Sequence, residues 1–563
     1  MSESGERFGF KGRIWIVLVV VPIILIMLAA FRWSLDHPYG FCWDEAKYIN
    51  QSMIDAQRLV TGNLVTLGGR ILINCDGRPP AYRILSLPFL VLLGSHPASV
   101  RLLSVVCFGL SSAFVYLATR RIGSPVAGAF AVLVFALSPE VVGASKWYST
   151  EGPLYLATSA MLYYLFVSWT ASTEDHRNWI GLGLAVGLGF LSKASFLVIA
   201  LPALAFWSGV NRWGRPAFSS VISQRKAGLL ALVVAGPWWV LNIKSLAPAV
   251  QDARGFAADS LGPPSLATYM KWLDTVFQCL VGHWVSILIL LVAIAWLRKA
   301  IVKRETILDP LQRAALGVCA SAGVPIVVTQ LAGTNHLLRH LSPAVIPLAI
   351  SVGVLSDKTG WARSKAALTI SSLLFGAQFL MIIAPVLVPN TQPVAVGFVN
   401  SWLPWRVMSR RDQWDWRPLY NLARNCGLEV PKISYMGFGP GLTQPNLEYP
   451  WAVQGASTHD AKIVWPDVKW LWRVEQGPVK WQEVMDDAAE NDIVLTLPHY
   501  VGIEEEEKLN NQHNFEFVNR LSRDPRFQGP IRLEAGRFGP VEIAVFLKKS
   551  LVYHLGRKAV VPP

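Results

Sequence analysis

Three acidic side chains occupy positions where a carboxylate could do chemistry. Asp44 and Glu45 form an adjacent pair in FCWDEAKYIN, shortly after a long apolar run, and Glu151 directly precedes another apolar run. Such carboxylates can act as general bases or bind a divalent cation. The plainer interpretation is structural, because acids in the first turn of a helix are stabilised by its dipole.

Basic and hydroxyl side chains occur in similar positions. Arg78 precedes two prolines in DGRPPAYRILSLP, and Tyr82 follows them. The stiff backbone suits Arg78 for holding an anionic head group, although a snorkelling arginine would have the same surroundings. Lys193 separates two short apolar segments in FLSKASF. The remaining candidates, in GTNHLLRHLSP, are His336, Arg339 and His340.

The composition indicates which kind of protein must position these side chains. The chain has 563 residues, of which 52% are hydrophobic and 16% are charged, so it is too apolar for an ordinary soluble protein. The net charge of +14 does not indicate nucleic-acid binding, because no basic motif of a known kind accompanies it. We therefore predict an integral membrane protein.

The apolar runs predict about eleven transmembrane helices, at roughly 20 residues per crossing. They lie near 13–31, 100–119, 125–143, 152–170, 179–192, 194–210, 227–243, 278–297, 314–332, 338–355 and 366–388. The shorter stretch 84–94 predicts a re-entrant or surface-lying helix.

Clusters of lysine and arginine recur at every second connection between these runs, which identifies the cytoplasmic side. The first apolar run is then predicted to be a retained signal anchor. The segments predicted to face outward are 32–99, 144–151, 244–277, 333–337 and the tail from about 390. All the candidate acids and bases thus lie near the outer membrane surface, which describes a site for an anionic lipid head group and a molecule that reacts with it.

The tail differs in character from the rest of the chain. Mixed charges, frequent turn residues and two short apolar runs, 492–498 and 541–549, predict a soluble extracytoplasmic α/β domain over 390–563, after a membrane module over 1–389. The cluster Gly437, Gly439, Gly441 predicts a turn, since its spacing fits no phosphate loop.

Two cysteines, Cys42 and Cys75, share the first outward loop, 32–99. In an oxidising compartment they could form a disulfide that closes the loop around the acid pair. The alternative is two small buried thiols.

Taken together, five segments resemble the GT-C membrane glycosyltransferases, in particular the protein O-mannosyltransferase and aminoarabinose transferase branch. The segments are WDEAKY, GRPPAYRILSLP, SPEVVGASKWYSTEGPLY, LGFLSKAS and HLLRHLSPAVIPLA. The resemblance covers about residues 1–355 and implies a GT-C fold in a bacterial inner membrane, with the active site outside the cytoplasm.

The resemblance also implies roles for individual residues. Asp44 matches the acid at the reaction centre, Glu45 its partner and Glu151 the acid of the second outward loop. The residues that match the donor phosphate site are Arg78, Tyr82, Lys193, His336, Arg339 and His340. The sequence has Arg-His at 339–340 where the family usually has Arg-Tyr.

The expected reaction moves a sugar from a polyprenyl phosphate of the dolichyl or undecaprenyl type to an acceptor hydroxyl on a protein, glycolipid or polysaccharide. The phosphate leaves as a stable anion, so the enzyme must supply a base for the acceptor and positive charge for the phosphate. Asp44 is our candidate base, and attack opposite the phosphate would invert the anomeric carbon. A divalent metal at Glu45 and Glu151 stays an open alternative. The competing function is a transporter or flippase of a lipid-linked anionic substrate.

Overall fold

The computed structural model describes a largely helical chain with one β-sheet near its C-terminal end. The residues it describes are 10–36, 43–73, 78–170, 176–214, 221–261, 270, 273, 276–303, 308–332, 338–361, 364–387, 415–437, 442, 444–457, 465–472, 478–497, 506–534 and 542–551. Cys42, Cys75 and His336 fall outside these ranges, and so do the disulfide and the phosphate contact predicted for them.

Each predicted apolar run falls on helical residues described before residue 390. The helices in this part of the chain are α1 Phe10–Asp36, α2 Trp43–Val60, α3 Leu64–Leu72, α4 Ala81–Leu93, α5 Pro97–Ile122, α6 Pro125–Ala136, α7 Pro139–Lys146, α8 Glu151–Thr170, α9 His176–Ser192, α10 Phe196–Gly214, α11 Val221–Leu261, α12 His283–Lys303, α13 Pro310–Ala332, α14 Leu338–Leu341, α15 Val345–Lys358 and α16 Lys365–Leu387. Two further helices that fall on no predicted apolar run, α2 and α3, lie between the first two runs. A π-helical turn, Val276–Val281, precedes α12, and a 3₁₀ turn, Ser342–Ala344, joins α14 to α15.

Six of the described helices are long and apolar enough to cross a membrane. The pair α6 and α7 makes a seventh span if it is counted as one, although it bends by 66°. The bend falls at Pro139, whose nitrogen carries no hydrogen for a continuous helix. The chain is therefore an integral, multi-pass membrane protein, whereas the predicted total of eleven spans is not confirmed.

The stretch predicted as a short helix, 84–94, lies in α4. The Pro80 carbonyl accepts the first hydrogen bonds of this helix, from the amides of Arg83 and Ile84, both at 3.0 Å. The two prolines therefore fix where the helix begins. Its location at the membrane surface stays a prediction.

The chain divides into two compact units. The first comprises Met1–Ser34, Gly68–Leu85 and Arg101–Val407, and the second comprises Leu35–Leu67, Ser86–Val100 and Met408–Pro563. The predicted division into 1–389 and 390–563 stays a prediction. Two segments of the predicted first outward loop, Leu35–Leu67 and Ser86–Val100, group with the C-terminal residues.

Close helix packing in the first unit depends on small residues. Helix α9 packs against α8 and α11. A Cβ atom at Gly183 would lie 2.8 Å from the carbonyl oxygen of Ala227 in α11, which is too close for any other residue. This contact fixes the course of α9 toward its C-terminal end, where Lys193 follows.

The second unit contains a five-stranded sheet in the order β2-β1-β3-β5-β4. Its strands are β1 Lys432–Met436, β2 Asp467–Trp470, β3 Ile493–Thr496, β4 Phe527–Glu534 and β5 Glu542–Lys548. Strands β1, β2 and β3 are parallel, while β5 is antiparallel to both β3 and β4. The two strands predicted from the sequence are β3 and β5.

Helices cover both faces of this sheet. They are α17 Arg417–Asn425, α18 Gln444–Ser457, α19 Trp481–Ala489 and α20 Glu506–Arg523. Side chains alternate along β1, so that Tyr435 packs in the core with α17 and α18 while Met436 packs in the core with α19 and α20. The extracytoplasmic position of this unit stays a prediction.

Gly437 follows β1 with φ +126°, a conformation that glycine adopts readily and other residues rarely do. The turn predicted for the glycine cluster stays a prediction. Gly439 and Gly441 lie outside the described residues.

Candidate functional site

Glu151 and Lys193 form a buried ion pair in the first unit. The Lys193 ammonium donates a hydrogen bond of 2.7 Å to Oε1 of Glu151. The Glu151 side chain is 3% exposed and that of Lys193 is 18% exposed. Glu151 begins α8, and its amide donates to the Ser149 hydroxyl at 3.3 Å, so a local turn fixes the carboxylate. The sequence predicted both residues as site residues but not that they pair.

Lys193 lies in the break between α9 and α10. The amide of Phe196 donates to the Lys193 carbonyl at 3.0 Å, which closes a tight turn. The Phe196 ring packs so closely on Gly189 that a Cβ atom there would lie 2.3 Å from it. The turn thus requires glycine one helical turn before Lys193, and it directs the lysine toward α8.

Arg339 and His340 come from α14, near the same pair. Nδ1 of His340 lies 3.3 Å from the Lys193 ammonium. The Arg339 guanidinium lies 5.8 Å from the centre of the Trp147 ring and also interacts electrostatically with Glu151. The four side chains Glu151, Lys193, Arg339 and His340 form what we call the basic cluster.

A chain of hydroxyl contacts fixes the geometry of α14. The Tyr155 hydroxyl donates to Ser342 Oγ at 2.6 Å, and the Ser342 hydroxyl donates to the Arg339 carbonyl at 2.8 Å. Tyr155 follows Glu151 by four residues, so both lie on one face of α8. A single face of α8 thus binds Lys193 and anchors the turn that carries Arg339.

The basic cluster carries two cations and one carboxylate besides the histidine, so it retains positive charge. Lys193 and Arg339 both act on the single Glu151 carboxylate, so these three groups together carry one net positive charge, and the Lys193 side chain is 18% exposed. Positive charge fixed in a partly buried site suits the binding of a phosphate that leaves as an anion.

Arg78 and Tyr82 also belong to the first unit. Arg78 is half-buried, while Tyr82 is fully buried and meets Tyr148 edge to face at 5.8 Å between ring centres. The Tyr148 hydroxyl donates to the Tyr82 carbonyl at 2.8 Å. These contacts connect the segment after Arg78 to the segment before Glu151. The phosphate contacts predicted for Arg78 and Tyr82 stay predictions.

The first unit contains further buried charged side chains that were not predicted from the sequence. Arg101 and Lys146 lie 5.0 and 5.7 Å from the centre of the Trp33 ring. Both are buried, and so is Glu140. Lys146 stands in the segment SKWYSTEG, but nothing in the sequence indicated that it lies over a tryptophan from another helix.

Asp44 and Glu45 begin α2, which belongs to the second unit. Asp44 is half-buried and Glu45 is fully buried. Their position in the first turn agrees with the structural interpretation of the pair and leaves the catalytic one untested.

The described residues show whether side chains are placed to bind a metal ion. Among them, no group of three or more histidine, cysteine, aspartate or glutamate side chains is placed to hold a metal ion. Oε1 of Glu151 faces the Lys193 ammonium at 2.7 Å, which occupies the place that a metal cation would take. Glu151 as found here does not fit a metal site.

Comparison with known proteins gives three related results. Residues 77–241 match the family model of dolichyl-phosphate-mannose-protein mannosyltransferases. The chain is 28% identical over 269 residues to an undecaprenyl phosphate-α-4-amino-4-deoxy-L-arabinose arabinosyl transferase of Pseudomonas fluorescens, which covers 46% of this chain and 45% of that protein. It is 25% identical to a relative of the same description from Sodalis glossinidius, over 60% of this chain and 62% of that protein. This chain thus matches about half the length of the Pseudomonas fluorescens relative.

Among solved structures, the fold is similar to that of ArnT from Cupriavidus metallidurans bound to undecaprenyl phosphate. The TM-score is 0.55 at 14% sequence identity, over 94% of this chain and 98% of that one. The apo state of the same protein gives a TM-score of 0.54. Fold and sequence agree, so the predicted resemblance is confirmed: the chain has the fold of the GT-C membrane glycosyltransferases and is similar in sequence to their aminoarabinose transferase branch.

Proposed function

We propose that this protein is a glycosyltransferase that moves a sugar from a polyprenyl phosphate to an acceptor hydroxyl on the extracytoplasmic side of the membrane. The observation that carries the proposal is the basic cluster, in which Lys193 and Arg339 both interact with the buried Glu151 carboxylate. A site that stabilises a departing phosphate needs fixed positive charge of this kind. The relatives and the fold support the same class of donor.

In the proposed mechanism, the sugar–phosphate bond breaks and the phosphate oxygen takes the bonding electrons. Lys193 and Arg339 stabilise that charge, so the leaving group needs no proton. Glu151 serves to orient Lys193, because a carboxylate that already accepts a hydrogen bond from an ammonium group is a weak base. We therefore propose Glu151 as a positioning residue, in place of the catalytic role predicted for it from the sequence.

His340 adds a further constraint. Its Nδ1 can accept a hydrogen bond from the Lys193 ammonium only when the imidazole is neutral at that nitrogen. Lys193 is then held from two sides, by Glu151 at 2.7 Å and by His340 at 3.3 Å. We infer that His340 replaces, through this contact, the aromatic residue that the family usually has.

The reaction also needs a base that removes the proton of the acceptor hydroxyl, and Asp44 stays our proposal for it. A carboxylate near its ordinary pKa is ionised at neutral pH and can accept this proton. Attack from the side opposite the phosphate inverts the anomeric carbon. Glu45, next to it, is proposed to orient Asp44 or the acceptor.

The names of the relatives suggest the first donor to test, undecaprenyl phosphate carrying 4-amino-4-deoxy-L-arabinose. The purified protein is reconstituted in vesicles with this donor and with a dolichyl or undecaprenyl phosphate mannose. Release of free polyprenyl phosphate with transfer of the sugar supports the proposal. Movement of the intact donor across the bilayer without cleavage would support a flippase instead. The matched control is Lys193→Met, which keeps the length of the side chain but removes its charge.

A further inference from the structure

Helix α2, which carries the acid pair, is buried despite its polar sequence. Besides Glu45, the polar side chains Asn50, Ser52, Asp55 and Gln57 are all buried. A buried polar helix requires partners that satisfy it. Within the second unit, its main partner is α18, the helix that covers one face of the sheet.

One specific hydrogen bond joins these two helices. Nδ2 of Asn50 donates to the carbonyl oxygen of Pro445 at 2.9 Å, and the contact is buried. The two residues are 395 positions apart in the sequence. A buried bond of this kind restricts both the rotation of α2 and its sliding along α18.

An electrostatic interaction also acts between the same two helices. Lys47 acts on the carboxylate of Glu448 in α18, and the Gln444 side chain holds that carboxylate with a hydrogen bond of 2.8 Å. Lys47 follows Asp44 by three residues, so the two lie on one face of α2. Asn50 lies three residues after Lys47 in the same helix.

We propose that Asn50 and Glu448 are positioning residues for the sugar transfer: they hold α2 on α18 and so set the direction of the Asp44 carboxylate. In this proposal, the sheet and α18 of the second unit position the helix that bears the acid pair. This inference rests on the proposed function, in which Asp44 is the base. A base misplaced by about 1 Å costs up to about 100-fold in rate, so a remote contact of this kind can control kcat.

The test measures kcat, the KM for the donor and the thermal midpoint of the full-length protein. Asn50→Ala removes the hydrogen bond, and Asn50→Asp keeps the size of the side chain but places a carboxylate against the Pro445 carbonyl. Asn50→Gln retains the amide donor, and Glu448→Gln retains the acceptor for Gln444 but removes the charge. Val60→Ala, at the exposed end of α2, is the control.

We expect Asn50→Ala to lower kcat about tenfold while the donor KM changes less than about twofold. Asn50→Asp should lower kcat further, whereas Asn50→Gln and Val60→Ala should lower it less than Asn50→Ala does. Glu448→Gln should lower kcat about threefold without loss of folded protein, which keeps the test decisive if the Asn50 variants fold poorly.

Wild-type kcat in both Asn50→Ala and Glu448→Gln would overturn the inference, and so would losses that follow only the thermal midpoint. Asp44→Asn distinguishes failure of the positioning proposal from failure of the proposed base. If Asp44→Asn is inactive while the Asn50 and Glu448 variants resemble wild type, the positioning proposal fails alone. If Asp44→Asn transfers sugar at the full rate, the assignment of the base fails.

Discussion

Removal of the charge at Lys193 should destabilise the protein and abolish donor use, and the two effects can be separated. Lys193→Met leaves the Glu151 carboxylate without its 2.7 Å partner, at 3% exposure. Breaking a buried ion pair from one side typically costs about 3–5 kcal/mol in the free energy of unfolding. Lys193 is partly exposed and Arg339 also stabilises the carboxylate, so we expect the lower end, about 3 kcal/mol.

The double variant Lys193→Met with Glu151→Gln removes both charges together. No uncompensated charge then remains, and we expect its free energy of unfolding to lie within about 1 kcal/mol of the wild type. Donor use should not recover, because the positive charge for the leaving phosphate is still absent. Loss of one preorganised group of this kind typically costs about 100- to 1000-fold in kcat.

The assay combines unfolding in detergent with release of polyprenyl phosphate from the donor. Glu151→Gln alone completes the cycle, since it leaves an ammonium beside a neutral amide. If the double variant is as unstable as the sum of the two single variants, the pair does not interact as described. If it transfers sugar at the wild-type rate, Lys193 does not serve the leaving group and the proposed mechanism is wrong.

The remaining predictions concern Asp44, Arg78, His340 and Glu448. Asp44→Asn should lower transfer at least about 100-fold with normal membrane insertion and yield, as measured by product formation per folded protein. Arg78→Ala should weaken donor binding, measured by titration, more than Arg78→Lys does; equal affinity in both variants and the wild type would indicate a snorkelling side chain. His340→Gln, which keeps an acceptor for Lys193, should retain more activity than His340→Phe, and the reverse order would exclude the Lys193 contact as the reason for this residue. Burial raises the pKa of Glu448 above its ordinary value of 4.5, although Gln444 and Lys47 partly offset this. The folded protein then binds more protons than the unfolded chain, so stability falls as the pH rises above 4.5; Glu448→Gln should remove this decrease in thermal midpoints measured from pH 4 to 8.

The helices could be predicted from the sequence because they depend on local patterns. Every predicted apolar run coincides with a described helix, and the runs near 492–498 and 541–549 contain β3 and β5. The count of spans could not be settled in this way, since proline bends the run 125–143 by 66° and composition alone does not show where a helix lies in the membrane.

The candidate residues were also recognised by local features, namely charged side chains at the ends of apolar runs. Their partners were not. Glu151 and Lys193 are 42 residues apart, and Lys193 and His340 are 147 residues apart. The pairing of Glu151 changed its proposed role from a catalytic group to a residue that orients a cation.

The sequence by itself determined that this chain is a multi-pass helical membrane protein with charged groups at the helix ends and strands near the C-terminus. Hydrogen bonds within a helix and the alternation of side chains along a strand act over a few residues, so the local sequence contains them. Only the tertiary structure decided that Lys193 faces Glu151 and that α2 packs on α18 with Asn50 bound to Pro445. These contacts depend on close packing among many helices, on glycines such as Gly183 and on turns such as that at Ser342, and no single segment of the sequence specifies them.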